Sequence, residues 1–245
     1  LVEIEVEVTR LVEIEVEVTR LVEVAPTAPP PPTPAPAAAI EPTSYLATAN
    51  ITPDDLPAGG PGLSVIAQGQ PSEFGSISVV VRNNVDAPVY NVEISATARD
   101  EAGGVLGTGS GLLFAPSYVP PGSVAFGTVG FMDTDLDGAT IDYRVTAQDA
   151  PSVFLARRDL EVLEHNIVGN NIVGILLNSN DAPLDLVQGA AICFDDDLVP
   201  IAAPSSFTDQ GEVDANAELP FSVNLFSNTA SCSRYFLAAH GFETN

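Results

Sequence analysis

The chain has 245 residues, 45% of them hydrophobic, which is enough to build one large or two small cores. It carries 33 acidic side chains against 8 basic ones, all arginine, for a net charge of −25. Without clustered cations, nucleic acid and anionic membrane surfaces are excluded as expected partners.

No run of 18 apolar residues occurs, so no membrane span is expected. The acidic balance suits a soluble exported protein, extracellular or at the cell surface. The sequence starts inside a repeat, which reads as a mature chain whose export signal lay upstream.

In chain order, the first element is LVEIEVEVTR, written twice and begun a third time over residues 1–24. Val2, Ile4, Val6 and Val8 fall on one parity, and Glu3, Glu5, Glu7 and Thr9 on the other. A strand sorts such alternation onto two faces, whereas a helix scatters it. The β-branched content agrees. Because ten is even, Val12, Ile14, Val16 and Val18 keep the same facing. Residues 1–24 are expected to form one strand of roughly 80 Å, at about 3.3 Å per residue.

Residues 25–62 follow as linker and approach. The stretch 25–42 holds eight prolines and is expected to be an extended, semi-rigid polyproline II spacer. Asn50-Ile51-Thr52 spells a glycosylation sequon, a triplet that often arises by chance.

A second repeat lies hidden downstream. Residues 82–102 align with 177–197 at an offset of 95. Asn83, Asp86, Ala87, Pro88 and Val92 recur as Asn178, Asp181, Ala182, Pro183 and Val187. The same offset matches Phe126 with Phe221 and Phe131 with Phe226, while LSVIAQ at 63–68 echoes LEVLEH at 160–165. Short apolar or alternating runs bounded by Asp-Ala-Pro, Gly-Gly and Pro-Gly turns read as strands. The expected fold is all-β: two tandem small antiparallel β-sandwich domains, 63–156 and 160–245, preceded by the long strand arm and the proline-rich linker.

The order Asn-x-x-Asp-Ala-Pro, then apolar alternation into an aromatic-Asp turn, a Pro/Gly turn, a Phe-rich strand and a Tyr-containing strand resembles the FxLYD domain family. These are small extracytoplasmic β-sandwich modules of bacterial and archaeal surface lipoproteins, and the resemblance implies no catalytic role. Phe194-Asp195 stands where the family has its aromatic-Asp pair. In the first copy Ala98, Arg99 and Asp100 stand there, and the aromatic is missing. The resemblance covers roughly 180 residues, judged by the motif spacing. The repeat ahead of a proline-rich spacer is similar to the stalks of bacterial surface proteins.

Candidate chemistry is sparse. Asp133, Asp135 and Asp137, in DTDLDG, spell the first half of a calcium loop in which alternate carboxylates converge on one ion. The bidentate Glu of a complete loop is replaced by Arg144. The plain reading is an acidic turn, and the functional one a calcium site joined by Asp142. No other cofactor is expected. Asp195-Asp196-Asp197 reads as the turn after a strand. His165 and His240 lie in strand-like segments, and no G-x-S-x-G or H-E-x-x-H occurs, so no enzyme is expected. Arg157-Arg158 is expected to bridge the domains or to pair with nearby acids. Cys193 and Cys232, the sole cysteines of an exported chain, are expected to form a disulfide.

Two functions fit. The favoured one is a structural subunit of an extracellular bacterial filament or sheath, whose partners are copies of itself joined by strand pairing of residues 1–24. A slip of ten residues restores the same pairing, so a staggered stack loses little register. The alternative is a monomeric cell-surface lipoprotein or stalk protein whose sandwiches bind a ligand or wall polymer.

Overall fold

A computed structural model describes residues 45–132, 134–151, 156–225 and 232–244; the repeat arm, most of the proline-rich linker, Asp133 and Phe226 lie outside the described residues. Among the described residues every regular element but one is a strand. The exception is a 3-10 turn at Pro53–Asp55, entered through a proline that presets its φ.

The first sandwich uses β2 (Gly62–Gln68), β3 (Ser76–Asn84), β4 (Val89–Arg99), β5 (Val105–Gly111), β6 (Tyr118–Val119), β7 (Val124–Phe131) and β8 (Thr140–Gln148). One layer runs β2-β3-β7, and the other sets β4 between β5 and β8, with β6 at one end of β4. The second sandwich uses β9 (Arg157–Val168), β10 (Asn171–Leu177), β11 (Leu184–Phe194), β12 (Pro200–Ala202), β13 (Ser205–Phe207), β14 (Glu218–Asn224) and β15 (Arg234–Glu243). Its layers are β9-β10-β14 and β12/β13-β11-β15, and the start of β9 crosses over to pair with β15. A short β1 (Ala47–Ala49) lies on the outer edge of β15. All the described pairings are antiparallel.

The two sandwiches share detailed local features. Asn83 and Asn178 are fully buried at the Asp-Ala-Pro turn. Each amide donates to the carbonyl four residues on, Ala87 at 2.9 Å and Ala182 at 3.0 Å, and also reaches across the turn, to Val119 and to Val213. Each side-chain oxygen accepts the N–H two residues on. These bonds tie the turn shut and satisfy a buried amide, which explains an asparagine there. Pro88 and Pro183 both stand in these turns. A bulge recurs at Asn91 and Leu186, with φ of 49° and 50°, although leucine disfavours that region. Another bulge inserts Ile66 against β3 and Leu163 against β10.

The offset of 95 does not persist to the Phe-rich strand. Val89 pairs with Val119, thirty residues on, while Leu184 meets Val213, twenty-nine on. The second copy is one residue shorter in the intervening loop. Consequently Val81 lies opposite Ala125 and its counterpart Leu176 opposite Leu219. Phe221 therefore matches Gly127, and Phe126 matches Pro220. The expected equivalence of Phe126 and Phe221 is corrected: a one-residue slip puts them on opposite faces. Phe131 matches Leu225, buried in the second core.

Each sandwich has an inner core, including Val79, Val81, Val92 and Phe131 in the first and Leu176, Val187, Leu219 and Val223 in the second. A third core lies between them. Val80, Val124 and Phe126, on the outer face of the β3–β7 layer, meet Ile192, Phe194 and Phe236, on the outer face of the β11–β15 layer. This explains sequence runs that break alternation: Val79-Val80-Val81, Ile192-Cys193-Phe194 and Tyr235-Phe236-Leu237 are buried on both sides. Gly69 comes so close to the Pro200 carbonyl across the junction that a Cβ would stand 2.3 Å from its oxygen.

Candidate functional site

The expected assembly residues Val2, Ile4, Val6, Val8, Val12, Ile14, Val16 and Val18 lie outside the described residues. The segment that joins them to the body does not. Leu46, Ile51 and Leu56 are buried in the third core, and β1 pairs Ala47, Thr48 and Ala49 with Leu237, Phe236 and Tyr235. Residues 45–56, read from sequence as an approach segment, are thus part of the body. Arg82, buried on β3, donates to the carbonyls of Pro53, Leu56 and Gly122. Asn50 donates to the Ser233 carbonyl at 2.9 Å. Thr52 donates through both its N–H and its hydroxyl to Asp55, holding that carboxyl below its ordinary value.

Cys193, on β11, and Cys232, just ahead of β15, form a disulfide with Cα atoms 5.1 Å apart, buried in the second core. In the DTDLDG loop, Asp135 and Asp137 are exposed, and the Asp137 N–H donates to Asp135 Oδ1 at 3.0 Å. Leu136 between them turns into the first core. Asp142 is held by Arg99 at 2.7 Å. Asp133 lies outside the described residues, and among those described no three His, Cys, Asp or Glu side chains are grouped to hold a metal. The Asp195 carboxylate accepts the N–H groups of Asp197 and Val199, closing the turn after β11.

The densest polar cluster lies at the junction. Asp159, on β9, accepts from the Ser117 N–H, the Ser117 hydroxyl and the Tyr118 N–H at 2.7–2.8 Å, gripping the first sandwich from the second. Burial pushes this carboxyl up, against the pull of Arg157 and the three donors. Arg157 donates to the Phe114 carbonyl and meets His240 Nδ1 at 3.2 Å, and burial brings its guanidinium down to about 10. His240 is held well below its usual value by burial and by the adjacent Arg157. The neutral imidazole therefore accepts from Arg157. Of the basic pair, Arg157 bridges the sandwiches and Arg158 pairs with Glu243 at 2.7 Å. Beside this cluster, Tyr45, Tyr90 and Tyr118 line a cleft of about 190 Å³. His165 is taken up by the Tyr235 hydroxyl at 2.8 Å.

The two sandwiches differ most at one edge. The outer edge of β15 holds β1 and the start of β9, and this strand is largely buried on both faces. The matching β8 pairs only with β4, so its other edge carries no strand among the described residues. Its residues alternate exposed and half-buried, with Ile141, Tyr143 and Val145 resting on the first core. The Tyr143 hydroxyl is buried without a partner, and burial pushes it up to about 12. A cleft of about 660 Å³ opens between the end of β2 and the start of β8, with Ile77, Leu136 and Ile141 among its walls and Glu73, Asp135 and Asp137 lining it. Arg144 projects from β8 as an exposed side chain. Among the described residues it is the arginine with neither a carboxylate nor a carbonyl partner.

The sequence reading missed the third core and the Asp159 grip. The first had a signal, the apolar runs that break alternation. The second had none, since an Asp 41 residues from Tyr118 follows no local rule.

No protein-family model matches the chain, and no curated protein does. Among solved structures it is similar to red sea bream transglutaminase, at 12% identity over 66% of this chain and 27% of that one, with a TM-score of 0.21. The chain thus spans about a quarter of that protein's length, and a likeness at this score carries no argument about fold or activity.

Proposed function

We propose that this protein is a non-enzymatic structural subunit of an extracellular filament or sheath, assembled from copies of itself through strand pairing of the residue 1–24 arm. The observation that carries this reading is the anchoring of the segment that follows the linker. Leu46, Ile51 and Leu56 enter the core shared by both sandwiches, and Arg82 fixes the turn at Pro53–Asp55. Tension on the linker would then be borne by both sandwiches, a useful property in a polymer and an idle one in a free monomer. The Cys193–Cys232 disulfide supports an exported chain. Both histidines are engaged in structural contacts, with Arg157 and Tyr235, which supports a non-catalytic role. The Asn-anchored turns support the FxLYD-like reading of each sandwich.

Negative-stain microscopy of the purified chain tests the proposal. Filaments are expected from the full chain, and single particles from a chain lacking residues 1–24 or carrying Asp at Ile4, Val6, Ile14 and Val16. Filaments from either variant in parental yield overturn it.

The tyrosine-lined cleft favours a second reading, a surface protein that binds a ligand or wall polymer. Tyr90→Ala and Tyr118→Ala lowering retention on isolated cell-wall polymer, with the fold intact, is the result that reading requires.

A further inference from the structure

The strand edges of the two sandwiches show where such an arm would attach. Register places Tyr235, Phe236 and Leu237 at the positions of Ile141, Asp142 and Tyr143. In the second sandwich these positions receive an extended segment of the chain itself, β1. In the first, the same edge has backbone N–H and C=O groups facing outward and a half-covered apolar inner face, Ile141, Tyr143 and Val145. One turn of fold thus accepts an added strand in one copy and presents the vacant counterpart in the other. Two other long edges carry no strand among the described residues: β14 has Pro220 at its centre, which cannot donate to an added strand, and β2 is broken by its bulge at Ile66 and bears no charged side chain.

We infer that the open edge of β8 is the acceptor for the residue 1–24 arm of a second copy of this chain. This rests on the filament reading and specifies its contact. The arm's strict period of two suits a half-buried edge: Val2, Ile4, Val6 and Val8 extend the Ile141-Tyr143-Val145 face, and Glu3, Glu5 and Glu7 extend the outer face, where Arg144 stands without a carboxylate. In a chain of net charge −25, an exposed arginine without a carboxylate partner, on an open edge whose Asp142 is already held by Arg99, is a specific match for a glutamate-faced strand. Direction matches too. If the arm runs antiparallel to β8, as β1 runs to β15, its glutamates pass Arg144 first. Arg10 or Arg20, on the arm's inner parity, then arrives at the cleft lined by Glu73, Asp135 and Asp137. Main-chain hydrogen bonds would supply affinity, and the alternating faces the register.

Cross-linking between two full-length chains of different tag mass tests this. One carries Thr140→Cys on the outer face of β8, and the other Glu7→Cys or, one repeat on, Glu17→Cys, the positions that fall opposite Thr140 when Glu3 or Glu13 falls opposite Arg144. Oxidation is expected to join the two different chains at least tenfold more than when the first carries Ser222→Cys on β14. Arg144→Glu should remove that advantage without changing the melting temperature, and Arg144→Lys should restore it. Equal yields at Thr140 and Ser222, or cross-links formed only within one chain when both cysteines are placed together, overturn the inference. Filaments that form with no cross-link at Thr140 sink this contact and leave the filament reading standing. Particles that neither assemble nor cross-link sink both.

Discussion

In the second sandwich β15 is largely buried on both faces and its outer edge is flanked by β1 and the start of β9; in the first, the matching β8 is exposed along one whole face and its outer edge carries no strand among the described residues. The second also carries the disulfide, while the first has no cysteine. Yet both keep the buried Asn turn, the bulge at Asn91 and Leu186, and the extra residue at Ile66 and Leu163. The fold resides in the inner face, the turns and the bulges. Outer faces and edges can be reassigned without disturbing it.

The largest perturbation of this pairing is expected at the core the two sandwiches share. Phe126→Ala should cost about 3–5 kcal/mol and split thermal unfolding into two transitions, read by calorimetry. Phe131→Ala, inside the first core, should destabilise without splitting it. A single cooperative transition in Phe126→Ala would show that the sandwiches are coupled elsewhere, at Asp159.

Next comes the disulfide, which closes a loop between residues 193 and 232. Cys193→Ala with Cys232→Ala should remove about 4 kcal/mol in the chain-entropy model. Hydrogen exchange should rise in β11 and β15 and stay unchanged in β4 and β5.

The matched asparagines make the most direct comparison. Asn83→Ala and Asn178→Ala should each cost about 1–3 kcal/mol by stranding buried backbone carbonyls. Asn178 should cost more, because its amide serves Ala182, Val213 and Asp214, whereas that of Asn83 serves Ala87 and Val119. Urea titration of the two variants decides the order.

The smallest effect is a pH dependence. His240 is depressed below the ordinary 6.5, so on acidification the unfolded chain takes up its proton first. The stability contributed by the neutral ring is complete above about 6.5 and is lost as pH falls below that value. Asp159, raised by burial, acts in the opposite sense and gains on acidification. The parent minus His240→Gln difference in melting temperature isolates the histidine. It should shrink from pH 7.5 to 5, and a constant difference would contradict a depressed His240.

Much of this architecture was legible in the sequence. Period-two runs and Asp-Ala-Pro turns gave the strands and the duplication, because strand facing and turn chemistry are local. The register of the last strands was not legible. One residue lost in a loop between Phe194 and Val213 leaves no mark on composition, yet it moves Phe221 off the face occupied by Phe126. Open edges were equally hidden, since β8 and β15 both read as ordinary strands until their neighbours are placed. Asp159 was invisible for a third reason: a buried carboxylate clasping two backbone N–H groups needs no particular neighbours in sequence.

The third core has a consequence for symmetry. The first sandwich contributes the outside of β3 and β7, and the second the outside of β11 and β15, so the duplicated modules touch head to tail through unlike faces. Such a heterologous contact has no internal stop and, repeated, generates an open stack. Here the stop is written in side chains. The counterparts of Ile192, Phe194, Phe236 and Ala238 in the first sandwich are Thr97, Arg99, Asp142 and Arg144. The missing aromatic at Arg99 is thus the end cap of a two-module stack. A third sandwich stacked on that face would meet threonine and charge where the second sandwich offers aliphatic and aromatic side chains.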